Sequence, residues 1–211
     1  MKKFFGYDGP IFSFLEKVAS LLWLNILWII CCIPIITIGA ATSSLYYVTL
    51  KMIKNEESYI AKSFFRAFKE NFKQATIIWL VEIAGLFLLV IDNQFVNPAT
   101  SNVLHIVLCA IEFIILIMGI YAFPLIAKFD NTTLNSMKNA LLIGMINAPF
   151  TLLIVIIFAV PVALAYFIPA LAPLSISIGI STVAYFSSII FNKIFEKLIS
   201  NENNEDSSDN I

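Results

Sequence analysis

The sequence predicts an all-α, polytopic transmembrane helical bundle of five to six crossings, and three observations carry that prediction. Of the 211 residues, 60% are hydrophobic and only 13% charged, with a mean hydropathy of +0.90; soluble domains carry about a quarter charged residues. Long apolar runs recur along the chain, each close to or beyond the ~20 residues that cross a ~30 Å hydrocarbon core as a helix. The segments between the runs alternate between basic and free of Lys and Arg, the asymmetry that orients membrane helices.

The first run, residues 18–50 between Lys17 and Lys51, holds 33 residues without a charge. A single crossing would strand Lys2, Lys3 and Lys17 outside, leaving 10 basic residues inside, whereas two crossings put all 13 inside. The positive-inside rule therefore favours two crossings and a total of six. Pro34 cannot sit unperturbed in a helix and Gly39 is permissive, so PIITIG between them is expected to be an outward turn. The result is a broken hairpin: a full first span, then a short returning helix from about Ala40 to Ile53. The small residues of GAATSS offer a signal-peptidase site, but Lys2 and Lys3 lie far ahead of the run, and the run is long for a signal sequence. The first span is expected to be retained.

Four further runs follow, at 75–91, 103–127, 140–168 and 170–191, and each is read as one helix crossing the bilayer. The connection 51–74 carries Lys51, Lys54, Lys62, Arg66, Lys69 and Lys73, and 128–139 carries Lys128 and Lys138, whereas 92–102 and 168–173 have no Lys or Arg. The basic pair is expected in the cytoplasm, together with both termini. Residues 1–199 form the membrane domain. Residues 200–211, SNENNEDSSDNI, have the composition of a disordered acidic cytoplasmic tail.

Within the basic connection, Ile60, Phe64, Phe68 and Phe72 recur every four residues with Phe65 beside them. Lys62, Arg66 and Lys69 fall mostly at other angles of the helical wheel. Such an amphipathic helix suits the headgroup level, with Phe inserted and Lys reaching anionic lipid. The same Phe row also suits packing on the floor of the bundle. Lys62, Phe65, Arg66, Phe68, Lys69 and Phe72 are thus candidates for a membrane-surface or docking helix.

Catalytic and cofactor signatures are missing. Cys31, Cys32 and Cys109 all lie in apolar runs without a C-x-x-C pair, and the one histidine cannot complete a zinc set. There is no H-E-x-x-H, no G-x-S-x-G and no phosphate-binding glycine loop. Without the acidic tail the chain has 13 basic against 10 acidic residues, too slight an excess for nucleic acid. A non-enzyme without cofactor or metal is expected, with the lipid bilayer as its first partner. The remaining clues are polar groups inside the apolar runs: Glu82, Glu112, His105, Asn25 and Asn147. A carboxyl in hydrocarbon costs several kcal/mol unless neutralised or paired. Glu82 and Glu112 lie on neighbouring antiparallel helices and are expected at similar depth, with His105 on the face of Glu112. One reading is a proton or cation relay; the other is protonated carboxyls bonded to Asn25, Asn147 or hydroxyls as interhelical glue.

The stretches IPIITIGAATSSLYYVTLKMIKNEESYIAKSFFRAFKENFKQATIIWL and YAFPLIAKFDNTTLNSMKNALLIGMINAPFTLLI resemble the YesL family of bacterial integral-membrane proteins, whose function is unknown. The resemblance extends to about residue 195. It implies a bacterial plasma-membrane protein linked to carbohydrate uptake or utilisation, and it carries over no catalytic residue. Two functions follow as expectations: a non-catalytic accessory protein, with sugar-importer subunits as partners, or a small transporter or channel working as a homo-oligomer.

Overall fold

Pro34 interrupts the first apolar run as its chemistry requires, and the fold is built around that interruption. In the computed structural model, which describes residues 10–56, 59–95, 102–168, 170 and 172–208, helix α1 spans Pro10–Cys31 and opens on a proline at its first position. A single 3₁₀ turn at Ile35–Thr37 follows, and α2 then returns over Ile38–Ile53. The broken hairpin and its short second leg are therefore present. The described residues contain helices and connections only, with no strand.

Helix α2 ends by a Schellman motif. Asn55 takes a left-handed φ of 55°, which lets Glu56 N–H donate to the Lys51 carbonyl at 3.0 Å and Asn55 N–H to that of Met52 at 3.2 Å. Helix α3 runs unbroken over Ile60–Phe95, 36 residues or about 54 Å. The basic segment and the apolar run after it are thus one rod. A separate helix lying flat over 56–74 is not formed, because no Pro or Gly interrupts the chain between Ile60 and Ala84. Helix α4, Asn102–Lys128, returns antiparallel to α3.

The run 140–168, expected as one helix, is two. Helix α5 covers Thr133–Ile146 and α6 covers Ala148–Phe167, with the break at Asn147 (φ −102°, ψ 37°) and Pro149 in the first turn of α6. Polar side chains bond carbonyls at the break, where Ile143 O also keeps the Asn147 N–H at 3.0 Å. Asn147 Nδ2 donates to Ile143 O at 2.9 Å and Thr151 Oγ1 to Gly144 O at 2.8 Å. The final helix, α7, covers Ala172–Ser208. It carries the acidic segment 200–208, expected to be disordered, as a helical extension, since propagating an existing helix costs far less than starting one. Asp209–Ile211 lie outside the described residues.

The core is organised on α2. Eleven of its sixteen residues are buried, among them Gly39, Ala40, Ala41, Ser43 and Ser44. Small side chains allow neighbouring backbones to approach closely, as in other membrane bundles. Against α7, Thr49 Oγ1 lies 2.8 Å from Ser188 Oγ, and Tyr46 OH lies 3.5 Å from Ser187 Oγ. Residues 121–127 of α4 are buried on every side, whereas most of 103–116 faces outward. Phe191 makes edge-to-face contacts with both Tyr46 and Tyr121, at ring-centroid distances of 5.7 and 5.3 Å. Among the described residues, four helical segments, 11–31, 60–90, 103–128 and 148–167, are long and apolar enough to cross a membrane. The protein is a multi-pass membrane helical bundle.

Candidate functional site

Two clefts open among the described residues. The first, about 680 Å³, lies among α1, α2, α3, α4, α6 and α7. Its walls are apolar and aromatic, and Glu82 is the sole charged residue in its lining among the described residues. Glu82 is held there by Gly119: a Cβ on Gly119 would stand 2.6–2.8 Å from the three carboxyl atoms. The α3–α4 register thus places the carboxyl on bare backbone. Glu82 Oε1 is buried and finds no hydrogen-bond partner among the described residues.

Two tryptophans of this cleft are fixed by their indole N–H groups. Trp28 Nε1 donates to Thr42 Oγ1 at 3.3 Å, and Trp79 Nε1 to the Ile35 carbonyl at 2.8 Å. Thr37 Oγ1 donates to Cys31 O at 2.5 Å and Pro34 O at 2.7 Å. The Trp79 and Thr37 bonds reach carbonyls of the α1–α2 turn and add to the backbone bonds from Thr37 N–H to Pro34 O and from Ile38 N–H to Ile35 O, as backbone removed from water requires.

The five polar residues expected to form one network are distributed instead. Asn25 Oδ1 accepts from the Ser181 amide at 3.2 Å, tying α1 to α7. Asn147 bonds within its own turn. Glu82 is level with Gly119, and Glu112 lies seven residues earlier on α4, about 10 Å along the axis. The two carboxyls therefore do not share a depth, because the close approach of Gly85 to Ile115 and of Gly119 to Glu82 sets a different register. His105 Nε2 lies 3.8 Å from Cys109 Sγ, one turn on.

The second cleft, about 740 Å³ and polar, joins α2, α3, α4 and α5; its lining includes Tyr47, Glu70, Asn71, Lys128, Asp130 and Asn135. Gln74 Nε2 closes one wall, donating to Asn131 O at 3.1 Å and Ser136 Oγ at 2.9 Å. Arg66 donates to Tyr47 OH, and Lys51 Nζ lies 4.9 Å from the Tyr47 ring centroid. Nearby, Lys54 pairs with Glu196 at 3.4 Å, joining α2 to α7. Of the expected docking helix, Phe68 is partly buried against the core, while Lys62, Phe65, Arg66, Lys69 and Phe72 are exposed. Phe64, from the same row, is fully buried.

Comparison with known proteins places this architecture beside proteins without an assigned activity. Residues 21–93, which run from α1 through most of α3, match the family described as "Protein of unknown function, DUF624". Over 121 residues the chain is 27% identical to the uncharacterized protein YesL of Bacillus subtilis (strain 168), a match covering 56% of this chain and 58% of that relative. The match thus spans little more than half of the relative's length. No solved structure matches the chain. The resemblance to the YesL family, of unknown function, is borne out by both matches.

Proposed function

We propose that this multi-pass protein is a non-catalytic accessory partner of a carbohydrate-uptake system in the bacterial plasma membrane, docking a cytoplasmic part of that system at the polar cleft. One observation carries the reading. The connections 51–74 and 128–139, far apart in sequence and both basic, converge on one polar surface through Gln74, Asn131 and Ser136. That surface joins charged groups of both signs, Glu70, Asp130 and Lys128, to neutral amides, the mixture of a polar, specific docking rim. The link to carbohydrate comes from the YesL resemblance, and the cytoplasmic placement from the distribution of Lys and Arg.

A photoreactive amino acid at Asn71 or Asn135 should crosslink to a subunit of a carbohydrate importer in native membranes. The same residue at Phe113, an exposed position on α4, should not. A small oligomeric transporter is the second reading, favoured by Glu82 in the apolar cleft. Solute flux by the protein alone in liposomes, with no importer crosslink, would replace the first reading by the second.

A further inference from the structure

We infer that the apolar cleft is a binding site for a lipophilic organic cation, an amphiphile whose apolar body fills the chamber and whose positive centre pairs with Glu82. The chamber is large enough for a small-molecule ligand, whose sites commonly run to about 300–1,000 Å³ with a few polar groups among apolar walls. Its electrostatics select the sign of the ligand's charge. Glu82 is the charged residue of the lining, and no Lys, Arg or His lines the cleft among the described residues. A carboxyl in that setting favours a cation over water-depleted isolation.

The walls agree with the same ligand. Trp28 and Trp79 line the cleft, and each indole N–H is already engaged, so aromatic surface rather than a donor is what they offer. Aromatic faces attract cations, most strongly when the pair is shielded from water. Tyr46 is the other titratable group of the lining, and its hydroxyl is directed to Ser187. Apolar residues of α4 and α6, among them Leu116, Ile120, Phe158 and Pro161, complete the lining, and the two helices meet at one end through Tyr121 OH and Thr151 Oγ1, 2.9 Å apart. These walls suit the apolar body of the ligand.

Equilibrium binding to the full chain in nanodiscs of zwitterionic lipid tests the inference, with tetraphenylphosphonium as probe and tetraphenylborate as its anionic analogue of the same shape. Saturable binding of the cation, near one per chain, is expected, with the anion at least tenfold weaker. Glu82→Gln keeps shape and hydrogen-bonding capacity and should weaken the cation at least tenfold, whereas Glu112→Gln should leave it unchanged. Acidification of the unmodified protein should also weaken the cation by protonating Glu82, a measurement that needs no variant to fold. Equal binding of cation and anion, or full retention of cation binding by folded Glu82→Gln, would overturn the assignment.

Discussion

Gly39 meets Trp79 so closely that a Cβ on the glycine would stand 2.7 Å from the Trp79 Cβ. The nearest atom to that added carbon is the Ala75 carbonyl oxygen, which belongs to a helix backbone and cannot swing aside. Gly39→Ala should therefore destabilise the protein by about 1–3 kcal/mol, the usual cost of overpacking, despite the better helix propensity of alanine. Thermal unfolding in detergent would register it as a lowered Tm. An unchanged Tm would show that α2 and α3 are less closely apposed.

The turn beside that contact depends on side chains for its hydrogen bonds. Thr37→Val keeps the shape and removes the donor to Cys31 O and Pro34 O. Trp79→Phe removes the donor to Ile35 O. Thr37→Val leaves the Cys31 carbonyl without that donor, at a cost of about 1–3 kcal/mol where water is excluded. The Ile35 carbonyl keeps its bond from the Ile38 amide, so Trp79→Phe should cost less, about 0.5–1.5 kcal/mol. A loss at Thr37→Val no larger than at Trp79→Phe would indicate that water reaches the turn.

The α1–α2 hairpin was readable because its signals are local. Pro34, Gly39 and the small residues after it announce a break and a close-packed return, and α2 begins at Ile38, two residues from the expected start. Hydropathy alone gave no such signal at Asn147, since both flanks are apolar, although the Asn147–Pro149 spacing was there to mark it. The change from charged to apolar at residue 75 suggested a boundary that the backbone ignores, because helix continuity depends on φ and ψ and not on side-chain polarity. Glu82 stood out as an intramembrane acid. Its seat on Gly119, and the cleft itself, depend on helix register and are visible only in three dimensions.

Asn55 closes α2 in a left-handed conformation, with φ 55°. A β-branched side chain there meets the steric penalty of that region, about 1–2 kcal/mol, whereas glycine adopts it freely. Asn55→Gly should keep or raise stability and Asn55→Val should lower it by that amount, measured by unfolding in detergent. Because Asn55 is exposed, lost packing cannot account for a difference between the two variants.

The depth of the α1–α2 turn yields the last prediction. Trp79, which bonds the turn at Ile35, stands sixteen residues before the end of α3 at Phe95, so α3 continues about 24 Å beyond it. Ile33, Ile35 and Ile36 are 77%, 69% and 53% exposed at the turn, a surface suited to lipid and not to water. The outward turn PIITIG is therefore expected to be recessed into the hydrocarbon. After replacement of Cys31, Cys32 and Cys109 by Ala, single cysteines would be labelled with an impermeant thiol reagent in intact cells and again after lysis. Asn97→Cys should label in intact cells, and Lys62→Cys, Asn135→Cys and Lys197→Cys after lysis only. Ile36→Cys should label poorly in both. Labelling of Ile36→Cys in intact cells as readily as Asn97→Cys would place the turn at the aqueous surface, and labelling of Asn135→Cys with Asn97→Cys silent would invert the orientation of the protein.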